Sequence, residues 1–159
     1  MEQEEGSFLD PLSGNEPEWN QLAAGREPRV FLSGGTRTPW RDPIVQAFSD
    51  VGFFDPSTLR DLSMRQIAET ERRWLDESNL VLFYFEETNP SGLGSAFEMG
   101  YAIARGVPVL FVDEKRTSHT EWLGIHCTGT FNTLDAALDA MVEILGLDSS
   151  RLGDGERSM

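Results

Sequence analysis

The apolar run Leu80-Val-Leu-Phe-Tyr-Phe85 leads, three residues later, into Asn89-Pro-Ser-Gly-Leu-Gly-Ser-Ala-Phe-Glu-Met-Gly-Tyr-Ala102. A continuous apolar block of this length reads as a strand covered on both faces, as in a parallel sheet. Gly92 and Gly94 let the backbone turn sharply and leave room for a ligand near the main chain. The spacing then predicts a helix over residues 96–105 and a further strand over 107–112. Glu98 is expected in the first helical turn, above the carboxyl edge of the sheet, where open α/β folds bind ligands.

Outward from this unit, the chain alternates strands and helices. Arg29-Val-Phe-Leu-Ser33 reads as a first strand, followed by the loop Gly34-Gly-Thr-Arg-Thr-Pro-Trp40. Asp42 before Pro43 reads as a helix cap with Pro at the first helical position. Phe53-Phe54 is a very short second strand. Ser63 with Gln66 forms a capping-box pattern that opens a helix over 64–77. A fifth strand is expected within 124–131, and a last helix over 134–145 with Thr133 as its cap. The order β-α-β-α-β-α-β-(β)-α predicts an α/β fold: a three-layer, doubly wound, flavodoxin/Rossmann-like sandwich on a mostly parallel five-stranded sheet.

With 159 residues, the chain has one domain's worth of sequence. Residues 1–28 hold seven acids against Arg26 alone and no sustained apolar period, so they read as a flexible acidic extension. Residues 29–147 carry the α/β pattern, and 148–159 read as a flexible tail. The net charge of −14 should repel nucleic-acid polymers and anionic membranes, while a local Arg or a helix N-terminus can still hold one small anion. Cys127 is the only cysteine, and His119 and His126 are seven apart, so neither a disulfide nor metal-ligand spacing is present. No metal and no cofactor is expected. With no 18-residue apolar run and no signal-like start, the expected location is the cytoplasm.

Two carboxylates stand out. Glu71 lies on the apolar stripe Met64, Ile67, Ala68, Trp74 and Leu75 of helix 64–77, where an unpaired buried charge is strongly unfavourable. It therefore either faces an ion-pair partner or lines a cavity. Glu98 completes a Ser95-Ala-Phe-Glu98 capping box, so capping competes with catalysis as its role. The glycines just before it favour catalysis, because a cap does not need side chains stripped from the turn. Two carboxylates over a sheet edge suit glycosidic chemistry, one at C1′ of a sugar and one managing hydroxyls or a leaving-group proton. In the loop Ser33-Gly34-Gly35-Thr-Arg37, backbone N–H groups and Arg37 could hold a phosphate, or the segment is an ordinary turn. The loop matches neither a P-loop nor a dinucleotide fingerprint. Trp40 could stack on a base or simply pack.

Three blocks, Val30-Phe-Leu-Ser-Gly-Gly35, Glu71-Arg-Arg-Trp-Leu-Asp-Glu-Ser-Asn79 and Gly92-Leu-Gly-Ser-Ala-Phe-Glu-Met-Gly-Tyr-Ala102, resemble the nucleoside 2-deoxyribosyltransferase superfamily, which includes 2′-deoxynucleoside 5′-phosphate N-hydrolases. The resemblance covers roughly residues 29–112 and continues more faintly to 145. It implies Glu98 as a nucleophile that forms a glycosyl-enzyme, and Glu71 near sugar and base. The substrate would be a small nucleoside or nucleotide. Ser91 and Arg37 would be contacts for a 5′-phosphate, with Gly92 and Gly94 lining the site. The family's second aspartate before the Gly-rich turn is replaced by Asn89-Pro-Ser91. The resemblance also implies a homodimer or larger homo-oligomer, with Ser118 and Asn132 as donors to a neighbouring site. Two rivals are a non-catalytic nucleotide sensor and a phosphoribohydrolase of the cytokinin-activating type, whose Gly-rich loop is similar to residues 90–98.

Overall fold

Strand side chains alternate between two apolar layers, and this alternation sets the architecture. The computed structural model describes residues 27–89 and 92–152. Strands β1 (Arg29–Gly34), β2 (Gly52–Phe54), β3 (Leu80–Phe85), β4 (Val109–Asp113) and β5 (Gly129–Phe131) form one sheet in the order β2-β1-β3-β4-β5. Every pairing is parallel. Val30, Leu32, Leu80, Leu82, Leu110 and Val112 face one layer, which holds helices α1 (Asp42–Ala47) and α5 (Leu134–Leu145). Phe31, Val81, Phe83, Val109 and Phe111 face the other, against α2 (Met64–Glu77) and α3 (Leu93–Ala104). The doubly wound three-layer sandwich expected from the sequence is the one observed.

The helix ends follow local chemistry. Ser63 and Gln66 make both bonds of the capping box at the start of α2, and Thr133 caps α5 through the N–H of Ala136. Asp42, expected as a cap, is instead the first residue of α1; the cap position is Arg41, with no side-chain bond, because a guanidinium only donates and cannot accept from the helix N–H groups. Helix α3 starts at Leu93, three residues before the position that spacing predicts. Helix α4 (Ser118–Gly124) was not anticipated. A parallel β4–β5 pair requires a crossover, and this short helix, opened by a Thr117–Thr120 capping box, provides it.

The apolar stripe of α2 is only half used. Trp74 and Leu75 are buried, while Met64 and Ala68 are exposed. Past α5, residues Ser149–Arg151 make a 3₁₀ turn, Leu152 packs on the core, and Arg151 pairs with Asp50. This turn falls inside the stretch read from composition as a tail. No helix among the described residues is long and apolar enough to cross a membrane.

Candidate active site

The strand order reverses between β1 and β3, and the crevice at such a switch point is where open α/β sheets bind ligands. Gly34 ends β1 opposite Tyr84, with φ +148°. A Cβ there would sit 2.5 Å from the Tyr84 carbonyl oxygen, so the chain passes only as glycine. Arg41, 3% exposed, holds the loop from beneath. Its Nε donates to the Leu32 carbonyl at 3.1 Å, Nη1 to that of Gly35 at 2.8 Å and Nη2 to that of Gly34 at 3.0 Å. It also pairs with Asp55 at 3.2 Å. Burial lowers the Arg41 pKa, and the charges of Asp55, Glu98 and Glu86 act against that shift.

Gly92 opens α3 in the left-handed conformation, φ +64°, with the Phe85 ring 2.7 Å from where a Cβ would lie. Because the helix begins at Leu93, Glu98 falls in its second turn rather than its first, and Ser95 is its third residue rather than its cap. No side-chain cap bond forms at this end, so the Ser95–Glu98 capping box does not exist. Glu98 is bonded instead to β1: the Ser33 hydroxyl donates to its Oε2 at 2.5 Å. Its Oε1 has no hydrogen-bond partner among the described residues. Since no fully buried side-chain oxygen is unpartnered there, Oε1 is open to the cavity that Glu98 lines. Burial raises the Glu98 pKa, opposed by the Ser33 hydrogen bond and the Arg41 charge.

That cavity holds about 300 Å³. Glu71, Glu98, Gly34, Gly35, Arg37, Gly92 and Gly94 all border it, so the structure brings together most of the residues singled out in sequence. Burial, with the charge of Glu98 in addition, pushes Glu71 up to about 7. Gly94 has nothing within 4 Å of a would-be Cβ, so its absent side chain widens the cavity rather than satisfying the backbone. Arg37 is exposed and borders a second cavity of about 230 Å³, which Arg41, Arg60 and Ser57 also line. Among the described residues, no group of three or more His, Cys, Asp or Glu side chains is placed to hold a metal.

Two sequence candidates take other places. Trp40 does not border the main cavity; it is 8% exposed, donates from Nε1 to the Gly35 carbonyl at 3.0 Å and packs edge-on to Tyr84. It supports the loop from below and has no free face for a base. Ser33 is fully buried behind Glu98 rather than on the cavity wall. Ser91 lies outside the described residues. Ser118 and Asn132 are exposed, at the start of α4 and just past β5.

Sequence reasoning missed Arg41, Glu86 and Asn89. Glu86, 7% exposed, accepts a hydrogen bond from the Thr38 hydroxyl and borders the cavity with Asn89. The Gly35 backbone leaves only 2.9 Å between a would-be Cβ and Glu86 Oε2. A Glu just past a strand reads as solvated, and nothing local marks it as buried. For Arg41 the one signal was an Arg beside a Pro-initiated helix, which is equally common on surfaces.

Residues 27–116 match the family described as nucleoside 2-deoxyribosyltransferase like. No curated protein sequence matches the chain. Among solved structures, the chain is similar to a 2-deoxyribosyltransferase from Leishmania mexicana, at 18% identity and a TM-score of 0.59, covering 72% of this chain and 97% of that one. It is also similar to a 2-deoxyribosyltransferase from the psychrotolerant bacterium Bacillus psychrosaccharolyticus, at 14% identity and a TM-score of 0.56, covering 79% and 96%. At these identities the likeness is one of fold.

Proposed function

The chain belongs to the nucleoside 2-deoxyribosyltransferase-like family, and from that premise we propose that it cleaves the N-glycosidic bond of a (deoxy)nucleoside or its 5′-monophosphate, with Glu98 as nucleophile. The observation that carries this reading is the pairing of two carboxylates from different helices on one cavity, one of them raised to about 7. Burial raises both carboxyl groups, but the charge of Glu98 adds to the shift at Glu71, while the Ser33 hydrogen bond and the Arg41 charge oppose it at Glu98. That asymmetry assigns the acid role to Glu71 and the nucleophile role to Glu98.

In this mechanism Glu98 Oε1 attacks C1′ as the C1′–N bond breaks and its electrons pass to the departing base. Glu71, still partly protonated near neutral pH, gives its proton to that base. The product is a glycosyl ester on Glu98. Water, or the nitrogen of a second base, then attacks C1′, loses its proton to Glu71 and frees the Glu98 carboxylate. Two displacements give net retention. The choice between water and a second base decides hydrolase or transferase.

A 5′-phosphate would meet Arg37 and the backbone N–H groups of the loop after β1, with Ser91 and Arg60 as further candidates. Leu93 and Phe97 are 78% and 66% exposed at the start of α3, and Leu93 borders the cavity. Apolar surface at the mouth supports a homodimer or larger assembly that covers it, with Ser118 and Asn132 offered to a neighbouring site.

The test is chromatography of free base released from nucleosides and 5′-monophosphates, with and without an acceptor base, beside Glu98→Gln. Release that falls by about 10³-fold or more in the variant supports the nucleophile. No release from any substrate by folded wild-type protein would replace the enzyme with a nucleotide-binding sensor.

A further inference from the structure

We infer that Ser33 is a positioning residue for Glu98, tying up one carboxylate oxygen so that the other is the attacking atom. The inference rests on the reading of Glu98 as nucleophile. Ser33 lies in β1, fully buried, and reaches Glu98 on α3 across 65 residues of chain at 2.5 Å. Oε2 is held and Oε1 is not. A carboxylate turns easily about its last torsion, with broad two-fold preferences, so an untethered Glu98 would present C1′ with either oxygen or neither. Fixing Oε2 fixes the carboxylate plane and leaves one defined nucleophile.

The tether itself is rigid. Ser33 sits in register with Phe83, and the carbonyls on either side of it, those of Leu32 and Gly34, are both held by the Arg41 guanidinium. A hydroxyl donating to an ionised carboxylate in a water-poor place favours the charged form against the burial that disfavours it. The same bond serves the second half of the reaction. When Oε1 carries the sugar, Oε2 is the ester carbonyl. As the Oε1–C1′ bond breaks, negative charge returns to the carboxylate and the Ser33 hydrogen bond strengthens, easing departure.

The experiment labels Glu carboxyl carbons with ¹³C and follows the Glu98 titration, assigned by its absence in Glu98→Gln, in wild type, Ser33→Ala and Ser33→Cys. Base release from a 2′-deoxynucleoside is measured against pH on the same proteins. Ser33→Ala should raise the Glu98 midpoint by about one pH unit and move the acid limb of kcat/KM upward with it. It should lower kcat by about 10- to 100-fold and leave KM nearly unchanged, since the substrate does not touch Ser33. Ser33→Cys, similar in size with a weaker donor, should fall between. A Glu98 midpoint and acid limb that stay put in Ser33→Ala overturn the inference. Should Ser33→Ala fail to fold, a wild-type midpoint in Ser33→Cys overturns it equally. If Glu98→Gln is inactive while Ser33→Ala behaves as wild type, only the positioning role fails. Activity retained by Glu98→Gln would instead remove the nucleophile itself.

Discussion

Glu71 on α2 keeps its proton up to about pH 7 because it is partly buried and faces the charge of Glu98 on α3. Its ordinary value is near 4.5, so the folded chain binds this proton over a range where the unfolded chain does not. The group's contribution to stability is therefore greatest below about pH 4.5 and declines as pH rises through 7. Glu71→Gln is neutral throughout. Thermal denaturation should show the variant above wild type at pH 8, with the gap closing towards pH 5. Solvent screening of this half-exposed group leaves about 1 kcal/mol of the effect, or roughly 2–4 °C in Tm. Base release by the same variant should fall at every pH.

Arg41 connects the loop after β1 to the strand beneath it. Arg41→Met removes the donors to three backbone carbonyls and leaves Asp55 without its buried partner. The denaturant midpoint should drop by the equivalent of about 3 kcal/mol. Arg41→Lys should recover little, because one ammonium cannot span three carbonyls in the way a planar guanidinium does.

Gly34 and Gly94 border the same cavity for different reasons, and alanine at each separates them. Gly34→Ala places a Cβ against a backbone carbonyl at an unfavourable φ and should destabilise by about 2 kcal/mol or more. Gly94→Ala meets nothing within 4 Å inside α3. Its stability should hold or rise by up to about 1 kcal/mol from helix propensity, read as an unchanged or slightly higher Tm. Its KM should increase because the cavity narrows. Paired Tm and KM measurements decide both.

Trp40→Phe keeps an aromatic ring but loses the hydrogen bond to the Gly35 carbonyl. If Trp40 supports the loop, urea denaturation should show a loss of about 1–2 kcal/mol, while substrate base preference is unchanged. A ring that stacked on the base would give the opposite: altered preference at unchanged stability.

Much of the architecture could be read from local pattern. The apolar run Leu80–Phe85 announced a strand covered on both faces, and the capping residues Ser63, Gln66 and Thr133 marked helix starts where they occur. These signals are local because a strand's periodicity and a cap's side-chain bond involve residues within a few positions of each other. Helix α4 escaped notice because seven residues give too few turns for a period to show. The start of α3 was misplaced because a left-handed Gly92, and not a polar cap, begins it.

The sequence by itself determined the strand–helix alternation, the glycine-bounded turns and the anomaly of a carboxylate at Glu71 on an apolar stripe, since each depends on neighbours in the chain. Only the tertiary structure decided what Glu98 bonds to, which carboxylates share a cavity, and that Arg41, Ser33 and Glu86 are buried around it. Those facts depend on β1 lying beside β3 and on α3 crossing above both. Desolvation and charge proximity arise from groups up to 65 residues apart, and no local pattern in the chain carries that information.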